Sequence, residues 1–153
     1  MQKQRYVIDT TSLISYFSNL FGRGSRISDR SISLIDKAFR FEDAAILVIP
    51  SIVFVEIFDK WFRGIQPADQ EFKERFKIEV LYRIRLANNI EIRELDKEVL
   101  EAFLLLDDPN INLENHDKII LASAIVLNAP LITSDSNVIS FIKRYQVIPD
   151  VLS

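Results

Sequence analysis

The chain contains no cysteine. Disulfides, thiolate metal sites and cysteine nucleophiles are therefore excluded. It contains a single histidine, His116. That removes three-histidine zinc sites, HExxH proteases and catalysis by a histidine pair. Glycine and proline are scarce, at 3 and 5 residues, and no low-complexity tract or internal repeat stands out. No apolar run is long and unbroken enough to span a bilayer. The opening MQKQRYVID passes straight into a strand-like run with no signal-peptide pattern, so a cytoplasmic location without membrane attachment is expected. Positive charge is not in excess either: 19 Lys and Arg against 22 Asp and Glu give a formal net charge of −3. This argues against a surface that grips nucleic acid on all sides. It leaves a local site open, because clustered catalytic acids bias the count and a bound metal reverses the local sign.

What remains is an ordinary globular composition. A length of 153 residues with 48% hydrophobic and 27% charged residues suits one compact domain over 1–153 with its own core. Strand-like and helical segments alternate. Arg5–Asp9 reads as a buried strand ending in an acid, and Thr10–Phe21 as a helix with Leu13, Ile14 and Phe17 inward. A loop carrying Gly22, Arg23, Gly24 and Arg26 precedes a helix capped by Ser28 or Asp29, with Ile32, Ile35 and Phe39 on one face. Ala45–Ile49 is a short apolar strand, and Pro50-Ser51 opens a helix packed through Ile52, Val53, Val55, Phe58 and Phe62, with Gly64 near its end.

Pro67 opens a charged helix to about Ala87 with a Phe72, Phe76, Val80 and Ile84 stripe. Ile90–Leu95 alternates as a strand with one solvated face, and Asp96 caps a helix through Leu106. Asn115 caps the helix HDKIILASAIVLN, Pro130–Thr133 is a strand, Asn137–Tyr145 a last helix, and Gln146–Ile148 a final edge strand. The alternation implies an α/β sandwich with a mainly parallel sheet. In such sheets sites open beyond the carboxyl ends of the strands, at a switch point.

Four acids stand beside or within apolar runs: Asp9 in YVIDTTSLI, Glu56 in IPSIVFVEIF, Asp117 in NHDKIILASA and Asp135 in PLITSDSNV. Taken singly, Asp135 reads as a helix cap and Asp117 as a first-turn residue favoured by the helix dipole. Glu56, inside an apolar helix, and Asp9, at a strand end, are costly to bury without compensation. A shared divalent cation resolves the cost, since hard oxygen ligands suit magnesium and manganese. Two such ions can activate water and stabilise a leaving oxygen in phosphodiester hydrolysis. Thr10, Thr11, Ser12, Thr133 and Ser134 are small hydroxyls able to position water or a phosphate oxygen, with Thr11 and Thr133 as the supporting candidates; turn and cap formation is the preferred reading for most of them.

Together VIDTTSLI, PSIVFVEI, HDKIILASA and PLITSD, in this order and rough spacing, resemble the PIN-domain ribonucleases, which include VapC-type toxins. The resemblance covers nearly the whole chain. It assigns metal binding and catalysis to Asp9, Glu56, Asp117 and Asp135, with one or two Mg2+ or Mn2+ ions. It implies a three-layer α/β/α fold on a five-stranded, mainly parallel sheet, and an endoribonuclease acting on single-stranded RNA. It also implies a homodimer and a cognate antitoxin as partner. The family often has a further acid two residues after the fourth; here that residue is Asn137.

Candidate phosphate contacts are Arg23, Arg26 and Arg30, Lys60 and Arg63, and Lys118 beside Asp117, each otherwise a solvated surface charge. Trp61, Phe58 and Phe62 can stack on bases or bury in a core or dimer surface. His116, at a helix start, is expected to cap or pack. Two other readings stay open: an inactive PIN-fold scaffold that binds a partner, and a phosphatase with Asp9 as nucleophile. Haloacid-dehalogenase-like phosphatases want a second Asp two residues on, where this chain has Thr11.

Overall fold

The structure is a computed structural model that describes residues 3–40, 45–63 and 69–153. The strands are β1 (Gln4–Ile8), β2 (Ala45–Pro50), β3 (Ile90–Arg93), β4 (Leu131–Ile132) and β5 (Val151–Leu152). The helices are α1 (Thr10–Leu20), α2 (Asp29–Phe39), α3 (Ser51–Glu56), α4 (Gln70–Leu86), α5 (Lys97–Leu106), α6 (Asn115–Leu127) and α7 (Ser136–Tyr145). No helix among the described residues is long and apolar enough to cross a membrane.

All the strand pairings are parallel, and the sheet order is β3-β2-β1-β4-β5. Helices flank the sheet as a three-layer α/β/α sandwich, with α2 against β2, α6 against β1 and α5 against α6. The sequence dictates the centre. Val7 and Ile8 of β1, Leu47, Val48 and Ile49 of β2, and Leu131 and Ile132 of β4 are all buried, as parallel strands covered on both faces require. The chain builds outward from β1 to β2 and β3, then returns to the other side of β1 for β4 and β5. The switch point therefore lies between the carboxyl ends of β1 and β4.

A chain of aromatic rings holds the helices beside this edge. Phe17 of α1 meets Tyr16, Phe21, Phe39 and Phe76, and Phe62 meets Phe72 and Phe76 of α4. Phe76 and Val80 are the buried part of the α4 stripe; Phe72 and Ile84 are half-buried. Ser28 is the cap of α2, accepting from the Ser31 N–H, and Asp96 caps α5 through the Val99 N–H.

Several expected details differ. Residues 146–148 form no strand: Gln146 adopts φ 51° and ends α7. The strand begins only beyond Pro149, which has no N–H to donate to a ladder, and Val151 pairs with Leu131. On β3, Ile92 is 41% exposed whereas Glu91 and Arg93 are half-buried, since Glu91 takes a bidentate pair from Arg5 and Arg93 reaches Asp96. Charge pairing with neighbours, not apolar burial, sets the faces of this edge strand. The helix from Ser51 does not continue as one α-helix. After Glu56 it widens into a π-helical turn over Ile57–Trp61; Val55 is exposed, and partly exposed Phe58 keeps an edge-on contact with Phe62. Glu114, not Asn115, occupies the cap position of α6. Gly64 and Pro67 lie outside the described residues.

The ring cluster makes a quantitative expectation. Phe17 is fully buried against four rings, so Phe17→Ala should cost about 3–5 kcal/mol in urea unfolding. The exposed Val55→Ala should stay within about 0.5 kcal/mol. A Phe17→Ala protein as stable as the Val55→Ala control would contradict this packing.

Candidate active site

Asp9 is the first residue beyond β1, which carries it to the switch point, and it is also the cap of α1. Its Oδ1 accepts the Ser12 N–H at 2.9 Å, and its Oδ2 accepts the hydroxyl of Thr133. Thr133 is the corresponding first residue beyond β4 and is fully buried. Its Oγ1 in turn accepts the Asp135 N–H at 3.1 Å. Asp135 caps α7, with Oδ1 accepting from Asn137 N–H at 2.9 Å and Val138 N–H at 3.0 Å. The two strand ends at the switch point are thus tied through one hydroxyl. Asn137 contributes its backbone here.

Glu56 ends α3 just before the π-helical turn. Its side chain is only 10% exposed, and Oε2 lies 3.0 Å from His116 Nε2. That contact is not aligned as a hydrogen bond, and buried Oε2 has no hydrogen-bond partner. Asp117 stands in the first turn of α6. Glu114, at the cap position, makes no side-chain cap bond; it accepts from Lys60 Nζ at 2.9 Å and lies 3.1 Å from His116 Nε2.

Asp9, Glu56, Asp117 and Asp135 all line one open cleft of about 390 Å³, together with Thr11, Lys60, Glu114 and His116. Burial pushes the Asp9 carboxyl up, against its bonds to Ser12 and Thr133, and the charge of Asp135 adds to the rise. Burial also raises Glu56, with Asp117 adding to the rise and His116 and Lys60 opposing it. Asp117 rises to about 6, first through burial and then through the charges of Asp135, Glu114 and Asp9. The hydrogen bond from Lys60 holds exposed Glu114 below its ordinary value.

This donor set fits a hard divalent cation. It is rich in carboxylate oxygens that repel one another, and among the described residues buried Glu56 Oε2 has no well-aligned hydrogen bond. Asp9, Glu56, Asp117 and Asp135 are the residues that would hold the ion.

The basic candidates separate. Arg23 and Arg26 line a second cavity of about 400 Å³, which shares Thr11 and Trp61 with the acidic cleft. Lys60 lines the cleft itself, paired with Glu114. Lys118 does not: its side chain is buried, with Nζ 3.5 Å from Asp107 Oδ1, because α6 turns it away from Asp117 and against the end of α5. Arg63 pairs with Asp59, Phe62 joins the core, and Trp61 is partly exposed between the two cavities. Glu114 and His116 line the cleft without the apolar flanks that single out the other acids. The one available signal was the run Glu114-Asn115-His116-Asp117, which puts three titratable groups on one helix start.

The crowding has a pH signature. A carboxyl with a folded pKa above its unfolded one binds its proton more tightly when folded, so stability is lost as pH rises through the window between them. For Asp117 the window runs from 3.8 to about 6. In EDTA, Asp117→Asn should therefore melt higher than wild type, by a margin that grows from about pH 4 to about pH 7. Calorimetry at a series of pH values checks this; a margin that shrinks with pH would refute the repulsion.

The profile described as PIN domain matches residues 6–144. No curated protein matches the chain. Among solved structures, the chain is similar to VapBC2 from Rickettsia felis bound to a DNA fragment from their promoter, with TM-score 0.68 and 15% identity over 98% of this chain and 100% of that one. It is also similar to FitAcB from Neisseria gonorrhoeae, with TM-score 0.63 and 13% identity over 97% and 96% of the two chains. VapBC-1 from nontypeable Haemophilus influenzae gives TM-score 0.58 and 19% identity over 96% of each chain. At these identities the likeness to solved structures is one of fold. With the family profile spanning most of its length, this chain belongs to the PIN-domain family.

Proposed function

We propose that this chain is a metal-dependent endoribonuclease that hydrolyses phosphodiester bonds in single-stranded RNA, acting as one compact domain. The observation that carries the reading is the convergence of Asp9, Glu56, Asp117 and Asp135, from four distant segments, on one cleft at the sheet's switch point. Bound magnesium or manganese, as one or two ions, would supply activated water and charge neutralisation at the phosphate. The residues themselves do the rest. Thr133 and the Ser12 N–H orient the Asp9 carboxylate. The α7 N–H groups hold Asp135 through Oδ1 alone, which leaves its Oδ2 for the cleft. Arg23 and Arg26, in the adjoining cavity, are placed to take backbone phosphates, and half-exposed Trp61 between the cavities offers a stacking face for a base.

The chain is also proposed to be the cytoplasmic toxin of a toxin–antitoxin pair. Several structural neighbours support this, among them a protein from Klebsiella pneumoniae described as a toxin–antitoxin complex. Exposed apolar side chains on the helices, including Phe58, Ile78, Leu81 and Leu105, support a homodimer or an antitoxin contact.

Cleavage of labelled single-stranded RNA by wild type and Asp9→Asn, in manganese and in EDTA, is the direct test. Wild type should cut only with metal, and Asp9→Asn should lose at least about 100-fold, more than an outer-sphere change. Thr133→Val, which removes the bond that orients Asp9 together with the acceptor of the Asp135 N–H, should lose about 10- to 100-fold. Unaltered cleavage by Asp9→Asn would displace the site from this cleft. In parallel, manganese at about 100 times its Kd should stabilise the folded protein by about 2.7 kcal/mol. A melting curve indifferent to manganese would argue against cation binding.

A further inference from the structure

The mouth of the cleft holds a nitrogen donor among its oxygens. His116 Nε2 lies 3.1 Å from Glu114 Oε2, 3.6 Å from Asp117 Oδ1 and 3.0 Å from Glu56 Oε2. One ligand atom from each of Glu114, His116 and Asp117 lies within 4.8 Å of the others. Ligands about 2.0–2.1 Å from a tetrahedral ion must stand about 3.3–3.4 Å apart, so both contacts His116 makes within this triad are close to the edges of such a tetrahedron. A second observation also calls for a ligand: Glu56, nine-tenths buried, aims Oε2 at His116 with no hydrogen bond to satisfy it. Among the described residues, the Lys60 ammonium reaches this spot, 2.9 Å from Glu114 Oε2 and 3.4 Å from His116 Nε2.

We propose that Glu114, His116 and Asp117 form a second cation site at the cleft mouth, selective for a borderline transition metal such as zinc over magnesium. Carboxylates and water suit magnesium, whereas a neutral imidazole suits zinc and nickel and adds little for magnesium. The metal binds the Nε2 lone pair, with the ring proton on Nδ1, and displaces Lys60 from Glu114. The site goes beyond the nuclease reading, because Glu114, His116 and Asp117 alone supply its donors. One consequence does rest on that reading: Asp117 is shared, so zinc would withdraw it from hydrolysis and inhibit cleavage.

His116 is the chain's one histidine, so its imidazole nitrogens give a single set of NMR signals. Zinc chloride added to full-length protein at one equivalent should shift the Nε2 signal, and magnesium chloride should not. By calorimetric titration, zinc affinity should fall at least about tenfold in His116→Asn and in Glu114→Gln, the latter at an exposed side chain that the fold does not need. Lys60→Gln, which removes the competing ammonium, should bind zinc at least as tightly as wild type. An unmoved Nε2 signal, or zinc affinity in both ligand variants within about twofold of wild type, overturns the site. RNA cleavage by a protein with no zinc-shifted imidazole would sink this inference alone. A zinc-shifted imidazole in a protein that cuts no RNA would sink the nuclease reading alone.

Discussion

The hydrogen bond that Thr133 donates to Asp9 is the contact on which the cleft depends. It joins the first residues beyond β1 and β4, the two strands that flank the switch point. Parallel pairing of Val7 with Leu131 and Ile8 with Ile132 brings both chain ends to the same level. The hydroxyl then converts that register into a fixed carboxylate orientation. It also accepts the Asp135 N–H, so one buried oxygen positions an acid on each side of the switch. A register slip of one residue would reverse the faces and separate Thr133 from Asp9. The apolar pattern of the central strands therefore sets the geometry of the polar site above them.

Helices α1, α6 and α7 begin beside the cleft, and their starts are treated differently. The first-turn N–H groups of α1 and α7 have Asp9 and Asp135 as acceptors. Each of these acids is thus a cap and a wall of the cleft at once, and capping does not compete with a role in the cleft. The cap position of α6 is held by Glu114, whose side chain turns to Lys60 and His116 instead. The dipole of α6 then favours the negative charge of Asp117 in its first turn. That gain does not outweigh burial and the neighbouring acids, which leave Asp117 raised to about 6.

The centre of the fold was legible because burial on both faces leaves short, unbroken apolar runs at β1, β2 and β4. The edges were not. The faces of β3 are set by Arg5 and Asp96, distant or late partners that no alternation reveals. The segment before β5 had the right composition for a strand but stood before Pro149, and the ladder waited for Val151. In the cleft, Asp9, Glu56, Asp117 and Asp135 could be marked because an acid among apolar neighbours has a cost that needs explaining. Glu114 carries no such cost, being exposed, and Lys60 could be named only as a surface charge. The meeting of Lys60 with Glu114 and His116 depends on where the π-helical turn puts it relative to α6, which is a tertiary fact. Lys118 failed as a phosphate ligand for a related reason. Adjacency to Asp117 in sequence puts it about 100° around the helix, and here that direction is the core side of α6.

The π-helical turn after Glu56 is what lets one segment serve both the core and the cleft. Inserting the wider turn at Ile57–Trp61 shifts the residues that follow out of the α-helical phase. Phe62 still reaches the ring cluster with Phe72 and Phe76, while Lys60 and Trp61 face the cleft. A regular α-helix would place Lys60 one turn directly beyond Glu56, on the same face. The ammonium would then sit on the carboxylate that has no hydrogen bond and neutralise it. With the turn widened, Lys60 instead bonds Glu114, and buried Glu56 Oε2 faces His116. The backbone irregularity thus keeps Glu56, the one acid of α3, from a direct pair with the lysine of its own segment.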